Sequence, residues 1–282
     1  MKIMKLRANA KINLTLDITG RRNDGYHIID SVFQSISLCD EVTVEKSNDI
    51  FVHCSDSSIC DKSNIAYRSA EKFFDYTCAA GGADIKIKKH IPLASGMGGG
   101  SADAAAVIVA LNKIYNTNLT KSELCEIGLS VGADVPFCIV GGTSRVGGIG
   151  EKMNELPNIP ECAILLCKHG EKMSTAEMYK KVDAYPQEVF YTQKAVDAIT
   201  NGNLKDICKN VFNAFSAVCD NDILISDIKY TNPLAVSLSG SGPTVFAIYG
   251  NKDDANRAGA VLRQKNYNPI ITTAAKSGIV FE

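Results

Sequence analysis

Residues 92–105 read Pro92-Leu93-Ala94-Ser95-Gly96-Met97-Gly98-Gly99-Gly100-Ser101-Ala102-Asp103-Ala104-Ala105, between the alternating run Asp84–Lys88 and a strongly helical segment, Ser101–Tyr115. Glycines let the backbone approach a ligand closely and let several amides point at one anion. A helix starting directly afterwards adds unpaired N–H groups and a positive dipole end, so the stretch has the makings of a phosphate site. It is neither familiar phosphate loop. No Lys follows the glycines as G-x-x-x-x-G-K-[ST] requires, and G-x-G-x-x-G has no match in the chain. The H-R-D and D-F-G of protein kinases are absent as well. The amides of Gly98 to Ser101 are the expected phosphate contacts. Ala102 has no hydroxyl to offer, and Asp103 is expected to point away from an anion it would repel.

Outward from this loop, Lys5–Asp17 alternates apolar and polar residues, the period of a half-buried strand, and Ile36–Lys46 reads as another. Asn64–Thr77 reads as a helix with Ala66, Ala70, Phe73 and Phe74 on one face. Thr120 and Glu123 form a capping box for a helix ending near Gly132. Beyond Pro157 and Pro160 the pattern restarts with a strand at 163–167. Helices follow near 174–182, 191–200 and 203–219, strands at 234–238 and 244–249, a helix at 253–265 and a strand at 270–274. Strands and helices do not strictly alternate, so the expected class is α+β, with a domain boundary at about residue 157 separating 1–157 from 158–282.

Composition narrows the partners. The 282 residues carry Lys+Arg 30 against Asp+Glu 31, a net charge of -1, which removes the usual argument for a nucleic-acid or membrane-surface protein. No apolar run reaches the roughly 18 residues of a membrane span, and Met1–Leu14 lacks the pattern of a secretory signal, so a cytoplasmic protein is expected. The 10 cysteines are then expected as reduced thiols. No C-x-x-C occurs and His27, His53, His90 and His169 are scattered, so no metal site is expected.

A second glycine element, Ser239-Gly240-Ser241-Gly242-Pro243-Thr244-Val245-Phe246, precedes a late strand. Together with Pro92–Ala105, in this order and spacing, it resembles the small-molecule kinase superfamily of galactokinase, homoserine kinase, mevalonate kinase and phosphomevalonate kinase. Two further segments narrow the likeness. Ala10-Lys11-Ile12-Asn13-Leu14 followed by Asp24-Gly25-Tyr26-His27, and Gly132-Ala133-Asp134-Val135-Pro136-Phe137, resemble the 4-diphosphocytidyl-2-C-methyl-D-erythritol kinase family. The matches run from residue 8 to about 248. Two departures stand out. Ala102 replaces the family's second serine, and Asn213-Ala214-Phe215-Ser216 stands where Asn-Asp/Glu-Leu-Glu is common.

The resemblance implies a two-domain kinase fold with its active site between the domains. It implies ATP with Mg²⁺, and a cytidine diphosphate-linked methylerythritol as the small-molecule substrate, phosphorylated on its 2-hydroxyl in the non-mevalonate isoprenoid route. Lys11, a charge in an apolar-alternating strand, needs a partner, and Asp134 sits in a glycine-containing turn. As a pair, Asp134 would be the general base and Lys11 would keep it ionised and screen the transferring phosphoryl group. Pro92, Gly96, Gly98, Gly99, Gly100 and Ser101 would hold ATP, with Asn64 near the adenine, although Asn64 would serve equally as the cap of its helix. Asn13 shares the strand face of Lys11. Tyr26 would stack on the base and His27 recognise it. Thr175 would touch substrate and Tyr179 close the other face of the base, against the plainer readings of a helix cap and a core tyrosine. No carboxylate stands out as a ligand for Mg²⁺. The rivals are a homoserine- or mevalonate-type kinase, which D-G-Y-H disfavours, and a non-catalytic ATP-binding regulator, which Lys11 and Asp134 disfavour.

Overall fold

A computed structural model describes residues 3–282. Strand β1 (Ile3–Arg21) buries Leu6, Ala8, Ala10, Ile12 and Leu14 on one face, as its alternation requires, and buries Asn9, Lys11, Asn13, Thr15 and Asp17 on the other. A strand buried on both sides with one polar face marks where the protein keeps its chemistry, because each of those groups needs a partner. β1 pairs antiparallel with β2 (His27–Ser47), with register shifts at Asn9/Lys11, Asn13/Thr15 and Ile18/Gly20. β2 starts nine residues before the expected Ile36, because residues 27–35 complete the hairpin with β1. Its second half pairs with β4 (Gly82–Lys88), which carries the parallel β3 (Phe51–Cys54). Its first half pairs with β5 (Thr143–Gly148), followed by β6 (Lys152–Leu156).

Four helices cover this sheet: α1 (Ile65–Thr77), α2 (Gly99–Tyr115), α3 (Lys121–Val131) and α4 (Val135–Val140). α2 is buried on nearly every side, from Ala102 to Ile114, which is why its alanine-rich run shows little amphipathic period. The capping box at Thr120 and Glu123 is present in both its halves. A second sheet, ordered β11-β7-β10-β9, is built from β7 (Ala163–Lys168), β9 (Ala235–Leu238), β10 (Thr244–Tyr249) and β11 (Ile270–Thr273). α5 (Thr175–Val182), α8 (Asp222–Lys229) and α9 (Lys252–Gln264) pack with it around Leu165, Val245, Ala247 and Leu262.

The second half of the chain also returns to the first sheet. α6 (Thr192–Thr200) and α7 (Leu204–Lys209) place Ala195, Ile199 and Ile207 in the first core, and β12 (Ile279–Phe281) pairs with β1. Residues beyond 157 therefore contribute to both cores. The buried carboxylate of Asp17 fixes one of these returns. Its Oδ2 accepts from the amides of Tyr191 (2.9 Å) and Thr192 (2.8 Å) at the start of α6, and its Oδ1 accepts from Gln187 Nε2 (2.6 Å).

The expected helix at 203–219 is broken. α7 stops at Lys209, and a two-residue strand, β8 (Phe212–Asn213), pairs with β1 before a 3-10 turn at Ala214–Ala217. Asn213 is the reason: its Nδ2 donates to Leu238 O (2.8 Å) and Gly240 O (2.9 Å), and its Oδ1 accepts from the amide of Phe215 (2.9 Å). No helix among the described residues is long and apolar enough to cross a membrane, and all ten cysteines are free.

Candidate active site

A cleft of about 920 Å³ opens between the two sheets. Its lining includes Pro92–Gly96 and Gly98–Ser101 at one end, Lys11, Asp134 and Thr175 between, and Tyr26, His27 and Tyr179 at the other.

The phosphate-loop end is made of backbone. α2 begins at Gly99, two residues before the expected Ser101, and its cap is Gly98 in the left-handed region (φ 70°) with no side-chain cap. The first helical bond runs from the amide of Ala102 to Gly98 O (2.9 Å), so the amides of Gly99, Gly100 and Ser101 have no partner within the helix. Ser101 is thus inside the helix and caps nothing. The Ser239–Gly242 turn locks under the loop: Ser239 Oγ donates to Gly96 O (3.1 Å), and a Cβ on Gly96 would stand 2.4 Å from Ser239 O. At Gly98 a Cβ would meet the Lys11 stem at 3.1 Å, so glycine there leaves Lys11 its path to the cleft. The two glycine motifs, read separately in sequence, form one interlocked cradle that added β-carbons would fill.

Lys11 is buried, with Nζ donating to Asn13 Oδ1 (3.0 Å), lying 3.3 Å from Asp134 Oδ2 and 4.2 Å above the centre of the Phe33 ring. Asn13 is held in turn, accepting from the amide of Gly240 (2.9 Å) and donating from Nδ2 to Ser31 Oγ (3.2 Å). Asp134 stands at the entry to α4 and makes no capping bond, which leaves its carboxylate free for the cleft.

At the far end the His27 ring stacks on Tyr179, centroids 4.4 Å apart and planes at 14°, and Phe215 meets the edge of Tyr179 at 4.9 Å. Burial pushes the Tyr179 phenol up to about 12, and Asp134 adds to it, so the ring is a neutral platform. Tyr26, expected to stack on a base, stands 62% exposed at the mouth. One face of Tyr179 is covered by His27. Thr175 is not the cap of α5; Ser174 is, in a capping box with Glu177, and Thr175 Oγ1 lies 3.0 Å from Ser241 Oγ. Asn64 is outside the cleft lining. It caps α1 by accepting from the Ala66 amide (2.8 Å) and donates to Ile59 O (2.6 Å), and its neighbour Ile65 lines the cleft.

This arrangement can be set beside known proteins. Residues 64–142 match the GHMP kinases N terminal domain and residues 195–268 the GHMP kinases C terminal domain. The 4-diphosphocytidyl-2-C-methyl-D-erythritol kinase of Caldicellulosiruptor bescii is 40% identical over 97% of this chain and 99% of its own length. That of Acetivibrio thermocellus is 39% identical over 96% and 99%. The chain belongs to the 4-diphosphocytidyl-2-C-methyl-D-erythritol kinase family of GHMP kinases. A crystal structure of a 4-(cytidine 5'-diphospho)-2C-methyl-D-erythritol kinase superposes with a TM-score of 0.80 at 28% identity, covering 96% of this chain and 99% of that one. A homoserine kinase from Cytophaga hutchinsonii shares the fold, with a TM-score of 0.77 at 18% identity over 100% of this chain and 98% of its own.

For a GHMP kinase, several residues of this cleft escaped the sequence reading. Lys89 lines it just below the phosphate loop and is pinned between two buried carboxylates, Asp40 on β2 and Asp103 (2.6 Å) in the first turn of α2. Asp103 does point away from the loop, as expected. Its burial, opposed by Lys89 and reinforced by Asp40, raises its pKa far above the usual carboxylate range. Lys89 is raised in spite of burial, by Asp103 and then Asp40. Through these contacts the cluster ties the start of α2 to β2. Lys172 also lines the cleft; desolvation and then Lys11, opposed by Asp134, hold it below the ordinary lysine range, with Lys168 adding to the depression. Neither lysine has a motif around it. Only the fold brings them in.

Among the described residues no cluster of three His, Cys, Asp or Glu side chains could hold a metal. The cradle suits the phosphates of ATP, and a Mg²⁺ ion fits here as part of the nucleotide, on its phosphate oxygens.

Proposed function

We propose that this kinase transfers the terminal phosphoryl group of ATP to the 2-hydroxyl of 4-diphosphocytidyl-2-C-methyl-D-erythritol. The observation that carries the reading is the Lys11–Asp134 contact at 3.3 Å, midway between an amide-built phosphate cradle and an aromatic, histidine-bearing pocket. The names of the family relatives supply the acceptor.

In this reading the amides of Gly99, Gly100 and Ser101 and the start of α2 receive phosphate oxygens. Magnesium bound to the nucleotide neutralises phosphate charge. Asp134 accepts the proton of the acceptor hydroxyl as its oxygen bonds to phosphorus and the bond from phosphorus to the ADP oxygen breaks. Lys11 has three N–H groups: one is used by Asn13 and one faces Asp134, leaving the third for the phosphoryl group in transit. Asn13 thereby positions Lys11, and through the Gly240 amide it ties that position to the second glycine turn.

The test is a panel of acceptors with ATP: the cytidylyl substrate, its uridylyl counterpart, homoserine and mevalonate. The uracil edge inverts donor and acceptor, so kcat/KM is expected to favour the cytidylyl acceptor by about 10²–10⁴, since the wrong edge buries polar groups unpaired. Equal use of both pyrimidines, or comparable turnover of homoserine or mevalonate, overturns the acceptor assignment.

A further inference from the structure

The hairpin that carries Tyr26 and His27 is fastened to the end of α5 through one side chain. Asp183, the residue on which α5 ends, places Oδ1 2.6 Å from His27 Nε2 and Oδ2 3.6 Å from Arg21 Nη1. Arg21 in turn donates from Nε to Gly25 O (3.0 Å), inside the turn itself. The His27 ring is also clamped flat against Tyr179, one turn back on the same helix. Arg21, Asp24, Gly25, Tyr26, His27, Tyr179 and Asp183 all border the cleft.

We infer that Asp183 is a positioning residue that sets the tautomer of His27 and thereby the pyrimidine edge the enzyme selects. This role for Asp183 rests on the proposed acceptor and goes one step beyond it. An ionised carboxylate only accepts, so the nitrogen facing it must carry hydrogen. In a neutral imidazole that makes Nδ1 an acceptor, because the hydrogen bond at one ring nitrogen decides the state of the other. An acceptor at Nδ1 complements an exocyclic amine, such as that of cytosine, and opposes a carbonyl lone pair, such as that of uracil. The stacking on Tyr179 removes the ring's other freedom, rotation out of plane, so tautomer and direction are fixed together. Arg21 balances the charge of Asp183, and its grip on Gly25 O keeps the turn in register with the carboxylate.

Two measurements test this. The ¹⁵N spectrum of His27 in the free protein, taken at a pH above the usual histidine range, should show hydrogen on Nε2. In Asp183→Leu that preference should fade, and Asp183→Glu should restore it. With ATP as donor, the cytidylyl-to-uridylyl ratio of kcat/KM should fall by about 10-fold or more in Asp183→Leu and recover in Asp183→Glu, with KM for ATP changed less than about twofold. Asp183 has a 42% exposed side chain, so its replacement leaves no buried cavity. An unaltered tautomer, or an unaltered pyrimidine ratio, overturns the role given to Asp183. If the unmodified enzyme turns over no cytidylyl acceptor, the acceptor assignment fails instead, and the tautomer measurement still decides what Asp183 does to His27.

Discussion

The two ends of the cleft are made of different material. The phosphate end is backbone: three helix amides, glycines at 96 and 98 and a second glycine turn beneath them, braced by the buried Asp40–Lys89–Asp103 cluster. The base end is side chain: His27 on Tyr179, Phe215 at its edge, Asp183 behind, on a hairpin turn whose residues are largely exposed. Amides are common to all sequences, so the first end is conservative in chemistry and intolerant of added atoms. The second can change its ligand by exchanging single side chains. A superfamily that shares ATP and differs in acceptor needs such a division.

The contrast can be broken where the ends meet. Asp134→Asn should lower kcat by about 10²–10⁴ while ATP titration shows binding retained, since the proton acceptor is lost and the cradle is not. A variant keeping more than about a tenth of its turnover removes Asp134 from that role. Next in size, Gly96→Ala places a methyl 2.4 Å from Ser239 O at φ 77°. Overpacking and backbone strain together should cost roughly 2 kcal/mol or more in a denaturation experiment, with ATP affinity falling alongside. At the other end Tyr179→Leu should raise KM for the cytidylyl acceptor about 3–10-fold, the worth of an aromatic stack, and leave KM for ATP alone. If it shifts both equally, the ends are not separable.

Asp103 gives a pH signature to the phosphate end. Its folded pKa is raised, to about 8, so between the ordinary carboxylate value near ~3.9 and about 8 the folded protein holds a proton that the unfolded chain has released. Its contribution to stability is therefore present at low pH and lost as pH climbs through that window. Asp103→Asn should flatten this slope in denaturant midpoints measured across the range; an unchanged slope assigns it to other groups. The smallest effect is expected at Ala102, whose methyl is wholly buried in the core and faces away from the cleft. Ala102→Ser should change KM for ATP less than about threefold, under ~0.7 kcal/mol.

These two ends also differ in how far the sequence disclosed them. Glycine spacing has a physical meaning without any partner, so Pro92–Ser101 announced a phosphate cradle and the strand-to-helix junction around it. Lys11 was legible as a charge out of place in an apolar strand. The base end was legible only through resemblance to a family, because a Tyr-His pair in a turn is ordinary. Its true arrangement, with His27 against Tyr179, depends on an α5 that arrives some 150 residues later. Lys89, Lys172 and Asp183 gave no local signal, since each acquires its meaning from neighbours distant in sequence. The broken helix at 203–219 was missed for the same reason: Asn213 serves carbonyls at 238 and 240, and a local period cannot see them. β5, β6 and β12 were too short or too glycine-rich to show alternation.

Strand β12 lies on the open side of β1, pairing Leu6 with Phe281 and Ala8 with Ile279. During synthesis β1 leaves the ribosome long before this outer neighbour. Until then this side of β1 offers unpaired amides and carbonyls, the kind of edge that recruits other chains. Closure of the first sheet thus waits for residues 279–281, and a contact of such long range makes it a slow one. A chain cut before Gly278 would keep every residue of the cleft and still be unable to hide that edge. It should be recovered mainly in aggregates, while the intact chain stays dispersed.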